Sequence, residues 1–186
     1  MRKKWSVKKK ILVTLLSVIA AFLLVVIVYV LYVFGTYHRI KDKQSIEINS
    51  LNATEGSKVK TGVEYTAGTY NVGFGAYTPD YSFFMDGGKY SRCFSKQSGI
   101  DAINGAADYA KSENPDFMIF EEVDRDSTRS YHVNQENLIN KKFQGYFQNF
   151  AVNYDSAYLF YPFNEPIGKS YSGISVYSCL LYTSDA

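Results

Sequence analysis

The stretch Pro115-Asp-Phe-Met-Ile-Phe-Glu-Glu-Val-Asp124 puts four consecutive apolar side chains, Phe117 to Phe120, directly before two carboxylates. A short, unbroken apolar run after a proline has the pattern of a buried strand. The acids that follow sit at its carboxyl end, where open α/β sheets gather their ligands. Upstream, Val63 to Asn71 is rich in Tyr, Thr and Val and predicts a second strand, which also ends on a polar side chain. Between the two, Ser98 is placed to cap a helix running to about Ser112. Its apolar positions Ile100, Ile103, Ala107 and Ala110 recur near helical spacing, and Asn114-Pro115 ends it.

Reading on from Asp124, a loop to Ser130 leads into a helix near Asn134–Lys142. Strands follow at Tyr146–Tyr154, Ala157–Tyr161 and Gly173–Ser178. This order predicts an α/β domain with a mixed sheet. Residues 73–94 read as a long loop carrying Phe74, Tyr77, Tyr81, Phe83, Phe84, Tyr90 and Phe94. Long loops inside domains usually carry function, so these rings either face lipid or substrate or simply cover the core.

Toward the N-terminus, Ile11 to Phe34 is a run of 24 residues without a charged side chain. About 20 suffice for a helix to cross the hydrocarbon core. Six Lys or Arg lie in residues 1–10, against three (Arg39, Lys41, Lys43) just beyond the run. The positive-inside rule then predicts a cytoplasmic basic segment at 1–10, a transmembrane signal anchor at 11–34 and an extracytoplasmic domain. The run exceeds the roughly 7–15 residues of a cleaved signal, and Tyr32-Val-Phe-Gly-Thr-Tyr37 lacks a small-x-small cleavage site. Residues 35–60 are polar and read as a juxtamembrane linker before a domain spanning 61–178.

The formal charge of +2 hides a split. Residues 44–178 hold 11 Lys and Arg against 16 Asp and Glu, a net of 11 − 16 = −5. Backbone-driven nucleic-acid binding needs the opposite sign, so a nucleic-acid partner is disfavoured without being excluded. The two cysteines, Cys93 and Cys179, are too few for a disulfide framework and show no C-x-x-C spacing.

Asn71 and Glu122 stand where two strands end, and a hard divalent ion such as Mg²⁺ takes oxygen ligands of this kind. The plainer alternative makes Asn71 a turn former before Gly73 and Glu121-Glu122 a solvated strand end. Thr69-Tyr-Asn-Val72, a helix, and then Pro115 to Asp124 resemble the opening of the endonuclease/exonuclease/phosphatase superfamily. That family includes deoxyribonucleases, neutral sphingomyelinases and inositol polyphosphate 5-phosphatases. Ser172-Gly-Ile-Ser-Val-Tyr-Ser178 resembles a later strand of the same fold. The resemblance implies the N-terminal half of a two-sheet α/β sandwich behind one transmembrane helix. It also implies that Asn71 and Glu122 serve as metal-site and catalytic residues for Mg²⁺ or Mn²⁺. Glu121 stands where that family usually has Gln. Arg129 and His132 can hold a substrate phosphate, or Arg129 can pair with Asp124 or Asp126 at the surface.

The resemblance further implies a water-activating Asp and a phosphorus-facing His in Asp-x-Asn and Ser-Asp-His motifs, and this sequence contains neither. The expectation is therefore a truncated, inactive form of a membrane-anchored, Mg²⁺-dependent phosphoesterase. Its substrate would be a phospholipid head group or a small phosphate ester. An extracellular nuclease of the same superfamily and a non-catalytic membrane-anchored binding protein are the rivals. The last residues, Cys179 to Ala186, resemble a translated sequencing adapter and are expected to be a non-native tail.

Overall fold

The computed structural model describes residues 5–37, 39–54 and 58–180. Part of the basic segment (residues 1–4) and most of the expected tail (181–186) lie outside the described residues. The chain forms two units, residues 1–37 and 38–186.

The first unit is one helix, α1 (Val7–Thr36), of 30 residues. Its N-cap, Ser6, accepts a hydrogen bond from the backbone of Lys9. At 1.5 Å per residue it is about 45 Å long, enough to cross a hydrocarbon core of about 30 Å. Two of its hydroxyls bond back within the helix. Ser17 Oγ donates to the Val13 carbonyl at 2.8 Å, and Thr36 Oγ1 to that of Tyr32 at 2.6 Å. Long and apolar enough to span a membrane, it is compatible with a single-pass anchor or a signal sequence.

The second unit is an α/β domain on one five-stranded mixed sheet in the order β1-β4-β5-β3-β2. Strand β2 (Ala67–Asn71) runs parallel to β3 (Phe117–Asp124), and the other neighbours are antiparallel. Helix α2 (Lys96–Ser112) connects β2 to β3, because parallel strands need a crossover. Ser95 is its N-cap, and Ser98 returns a hydrogen bond to the Ser95 backbone, closing a capping box. Helix α3 (Gln135–Lys142) starts on the Asn134 side chain. Strands β4 (Tyr146–Leu159) and β5 (Gly168–Ser178) form a long hairpin.

Side chains alternate across the sheet, and only one face meets the helices. Met118 and Phe120 of β3 and Tyr177 of β5 pack with Ile103, Ala107 and Ala110 of α2 and Ile139 of α3. Phe120, Phe143 and Tyr177 meet ring to ring at centroid distances of 4.8–5.7 Å. On the opposite face, Phe117, Phe147 and Val176 border a groove with Ile48 and Leu180. Ile119, which pairs with Val176 there, stays exposed.

A second cluster lies under residues 73–94. Phe74, Ala76, Tyr81 and Cys93 are buried together, with Phe83, Tyr90 and Tyr131 packed against them. Most rings of this loop therefore cover one another. Gly75 turns the chain at φ +76°, and a Cβ there would come within 2.8 Å of the Gly99 carbonyl of α2.

Two expected boundaries are corrected. Part of the stretch read as linker is strand β1 (Asn49–Leu51), hydrogen-bonded antiparallel to β4. It is polar, three residues long and at the sheet edge, so neither period nor hydrophobicity marks it. The expected strands 146–154 and 157–161 are one strand, because β5 supplies partners to Asp155 and Ser156 across the polar break.

Candidate functional site

Asn71, the last residue of β2, lies opposite Glu121 in the ladder, three residues before the end of β3. Beyond Phe120, β3 carries an extra residue. Phe120 pairs with Ser175 and Val123 with Gly173, so Glu121 and Glu122 together oppose Ile174. Such a bulge re-aims side chains. Glu122 takes φ +56°, a left-handed backbone uncommon outside glycine. Past the bulge, Val123 and Asp124 are both fully buried.

The two acids at the bulge have different partners. Glu121 accepts a hydrogen bond from Thr69 Oγ1 at 2.7 Å. Glu122 accepts one from Asn71 Nδ2 at 3.0 Å. On its other side, Asn71 Oδ1 accepts from the Gly73 backbone N–H at 2.8 Å. These two contacts fix which way the amide points. Turned over, it would set its oxygen against a carboxylate and its NH₂ against an N–H. Asn71 therefore holds Glu122 in place, and its oxygen already accepts one hydrogen bond.

Arg129 lies behind Glu122. Its Nε and Nη2 donate to Asp124 Oδ2 and Oδ1 at 3.2 and 3.0 Å, the paired geometry a planar guanidinium forms with a carboxylate. Its plane sits 4.1 Å from the Phe74 ring centroid. The remaining nitrogen, Nη1, is 3.8 Å from Glu122 Oε2. Of the alternatives read from sequence, pairing with Asp124 is the one observed. The pair is buried, with side-chain exposures of 11% for Arg129 and 0% for Asp124, rather than at the surface.

His132 faces away from this arrangement. Its Nδ1 lies 2.6 Å from Asp126 Oδ1, on an exposed turn where Lys169 Nζ approaches the same carboxylate at 3.8 Å. The structure therefore joins Asn71, Glu122 and Arg129, and pairs His132 with Asp126.

Two further residues belong to the corner. Asp124 was legible only as a surface partner for Arg129, yet it is the buried counter-ion of that side chain. Tyr77 is the second: burial, then the charges of Asp86 and Glu122, push its phenol up to about 12. The loop aromatics flagged it as one of several, without singling it out. Glu122 keeps 42% of its side chain exposed, unlike the fully buried Asp124. Among the described residues no group of three or more His, Cys, Asp or Glu gathers as a metal cluster.

No family model, no curated protein and no solved structure matches this chain.

Proposed function

We propose that the Asn71–Glu122 corner is the metal-holding part of a phosphoester-hydrolysing site of the endonuclease/exonuclease/phosphatase type. The carrying observation is the 3.0 Å hydrogen bond from Asn71, at the end of β2, to Glu122, at the bulge of the adjacent parallel strand β3. It aims a half-exposed carboxylate outward while the other polar groups around it are paired.

The residues fit Mg²⁺ or Mn²⁺ in a limited way. Mg²⁺ is commonly bound through one or two carboxylates and keeps several waters, which substrate oxygens then join. Glu122 would be the ligand. Asn71 would orient it, and the second lone pair of its oxygen, beyond the one that Gly73 N–H takes, would be its own contribution to the ion. When bound, the ion would act as a Lewis acid on a phosphoryl oxygen. Arg129, neutralised by Asp124, would keep Glu122 from swinging toward the Phe74 ring. These residues account for holding and aiming a metal. Turnover requires the Asp-x-Asn and Ser-Asp-His motifs that this sequence lacks, and it is proposed for a full-length form that carries them.

In the same reading, the more open sheet face with Phe117, Ile119 and Val176 receives a second sheet, completing a two-layer sandwich. Helix α1 anchors the chain with its N-terminus in the cytoplasm and the domain outside, as the bias of six against three basic residues favours. The net charge of −5 (11 − 16) over residues 44–178 favours a phospholipid head group or small phosphate ester over nucleic acid.

The test is a Mn²⁺ titration of the full chain in detergent, followed by electron paramagnetic resonance with Mg²⁺ as competitor. Saturable binding that Mg²⁺ displaces is expected. It should vanish in Glu122→Gln and weaken in Asn71→Ala. Equal binding in Glu122→Gln would remove the metal, and the phosphoesterase reading with it.

A further inference from the structure

The turn between β4 and β5 carries Ala157-Tyr-Leu-Phe-Tyr-Pro-Phe163, seven residues without a charge. Its rings point outward: Phe163 is 85% exposed, Tyr161 58% and Phe160 47%. A second segment joins them. The Phe84 ring meets Tyr161 edge-on at 5.8 Å, Tyr161 meets Phe163 at 5.8 Å, and the neighbouring Met85 is 70% exposed. Just before Tyr161 in the chain, Tyr158 and Phe160 form a ring pair of their own at 4.9 Å.

This surface differs from the aromatic cluster beneath it. Phe74 and Tyr81 are buried there, so the domain can enclose rings where the chain folds over them. At the hairpin tip the backbone is tied, with Ile167 N donating to the Tyr161 carbonyl and Glu165 N to that of Pro162. The rings are thus held outward on a braced turn. Glu165, the nearest acid after the tip, is folded inward, where its carboxylate accepts from the Ser91 backbone at 3.0 Å and from Ser91 Oγ at 2.9 Å. Asp86, next to Met85, is an exposed charge at the rim of this patch, and an exposed apolar patch rimmed by polar residues marks an interaction surface.

We propose that this patch, Phe84–Met85 with the 158–163 tip, docks into the interfacial layer of a zwitterionic lipid bilayer. The proposal rests on reading α1 as a membrane span. Residues 37–48, which connect α1 to β1, reach at most about 40 Å when fully extended, so the domain is leashed to a lipid surface. Tyr and Phe at a water–apolar boundary suit the headgroup level, where a ring buries its body and keeps a polar edge wet. The net −5 (11 − 16) of residues 44–178 sets the lipid type, because it opposes adsorption on anionic headgroups. Docking is therefore driven by the rings, insensitive to salt and weakened by added phosphatidylserine.

The test uses the full chain in phosphatidylcholine vesicles, with the sole native tryptophan removed as Trp5→Phe and Phe163→Trp installed as the reporter. Flotation of the protein with the vesicles reports on the anchor independently. The Phe163→Trp reporter should emit to the blue, lose roughly half its intensity to brominated lipid and resist aqueous iodide, as expected of an interfacial ring. A Tyr109→Trp control on exposed α2 should show the reverse, and a cooperative urea transition followed by circular dichroism confirms that the domain is folded. A floated protein whose Phe163→Trp reporter is quenched by iodide and not by brominated lipid overturns the docking while leaving the anchor intact. A reporter shielded from both quenchers means that protein, another copy or another segment, covers the patch, and overturns it equally. Failure to float removes the anchor on which the proposal rests.

Discussion

The buried corner around Asp124 and the exposed turn around Asp126, two residues apart at the end of β3, hold similar ion pairs under opposite conditions. Asp124 is fully buried and meets Arg129 through two hydrogen bonds, with the guanidinium stacked on Phe74. Asp126 is about half exposed and meets His132 and Lys169 in contact with water. A desolvated pair is structural because neither partner can be left alone, whereas solvent screens an exposed one. Glu122 lies between these extremes. It is fixed by Asn71 and half open to solvent, which suits a ligand-holding group better than either neighbour.

The largest effect is expected where the buried pair is broken. Asp124→Ala leaves the guanidinium of Arg129 buried and unpaired, and should cost about 3–5 kcal/mol in urea denaturation of the full chain in detergent. A loss below about 1 kcal/mol would show that Arg129 finds solvent, and the contrast between the two regions would fail. Glu122→Gln keeps the shape and an acceptor for Asn71. It should shift stability by no more than about 1 kcal/mol while abolishing Mn²⁺ binding, which separates holding a ligand from holding the fold.

The smallest effect belongs to the exposed turn and depends on pH. The His132 hydrogen bond, then the charges of His132 and Lys169 against modest burial, hold the Asp126 carboxyl below its ordinary range. Its contribution to stability is present above the ordinary Asp value of about 3.9 and is lost as pH falls through the depressed one. His132→Ala should therefore lower stability above about pH 4 by no more than about 0.5 kcal/mol, since solvent screens the pair. The difference should close toward about pH 2, and thermal melts across that range check it.

Much of the framework was readable from residues 7–36 and 96–124, because there the signal is local. A charge-free run sets α1, and a capped amphipathic segment sets α2. Even so, the expected cap Ser98 proves to be the third helical residue behind Ser95, since two serines three apart can each start a helix. Strand β3 runs through Glu121 and Glu122 to Asp124, beyond its apolar run, because the ladder with β5 resumes after the bulge. Asn71 closes β2 as its position suggested, whereas Glu122 meets it from a bulge inside β3 and not from the end of that strand. The roles of Arg129, Asp124 and His132 were not legible, because the turn at 125–132 decides which acid each cation meets, and its left-handed residues Tyr131 and His132 carry no sequence signature. Strand β1 exists only through its partner β4.

That small strand has a mechanical consequence. While β1 is zipped to β4, the connection after α1 is residues 37–48, with a contour of at most about 40 Å, part of which lies along β4 beside Phe150 to Val152. If its three residue pairs peel away, the slack extends to Thr66, and the contour grows to about 100 Å. A pull on the anchor loads this edge of the sheet first. The first thing it would yield is reach, before any of the hydrophobic core is disturbed.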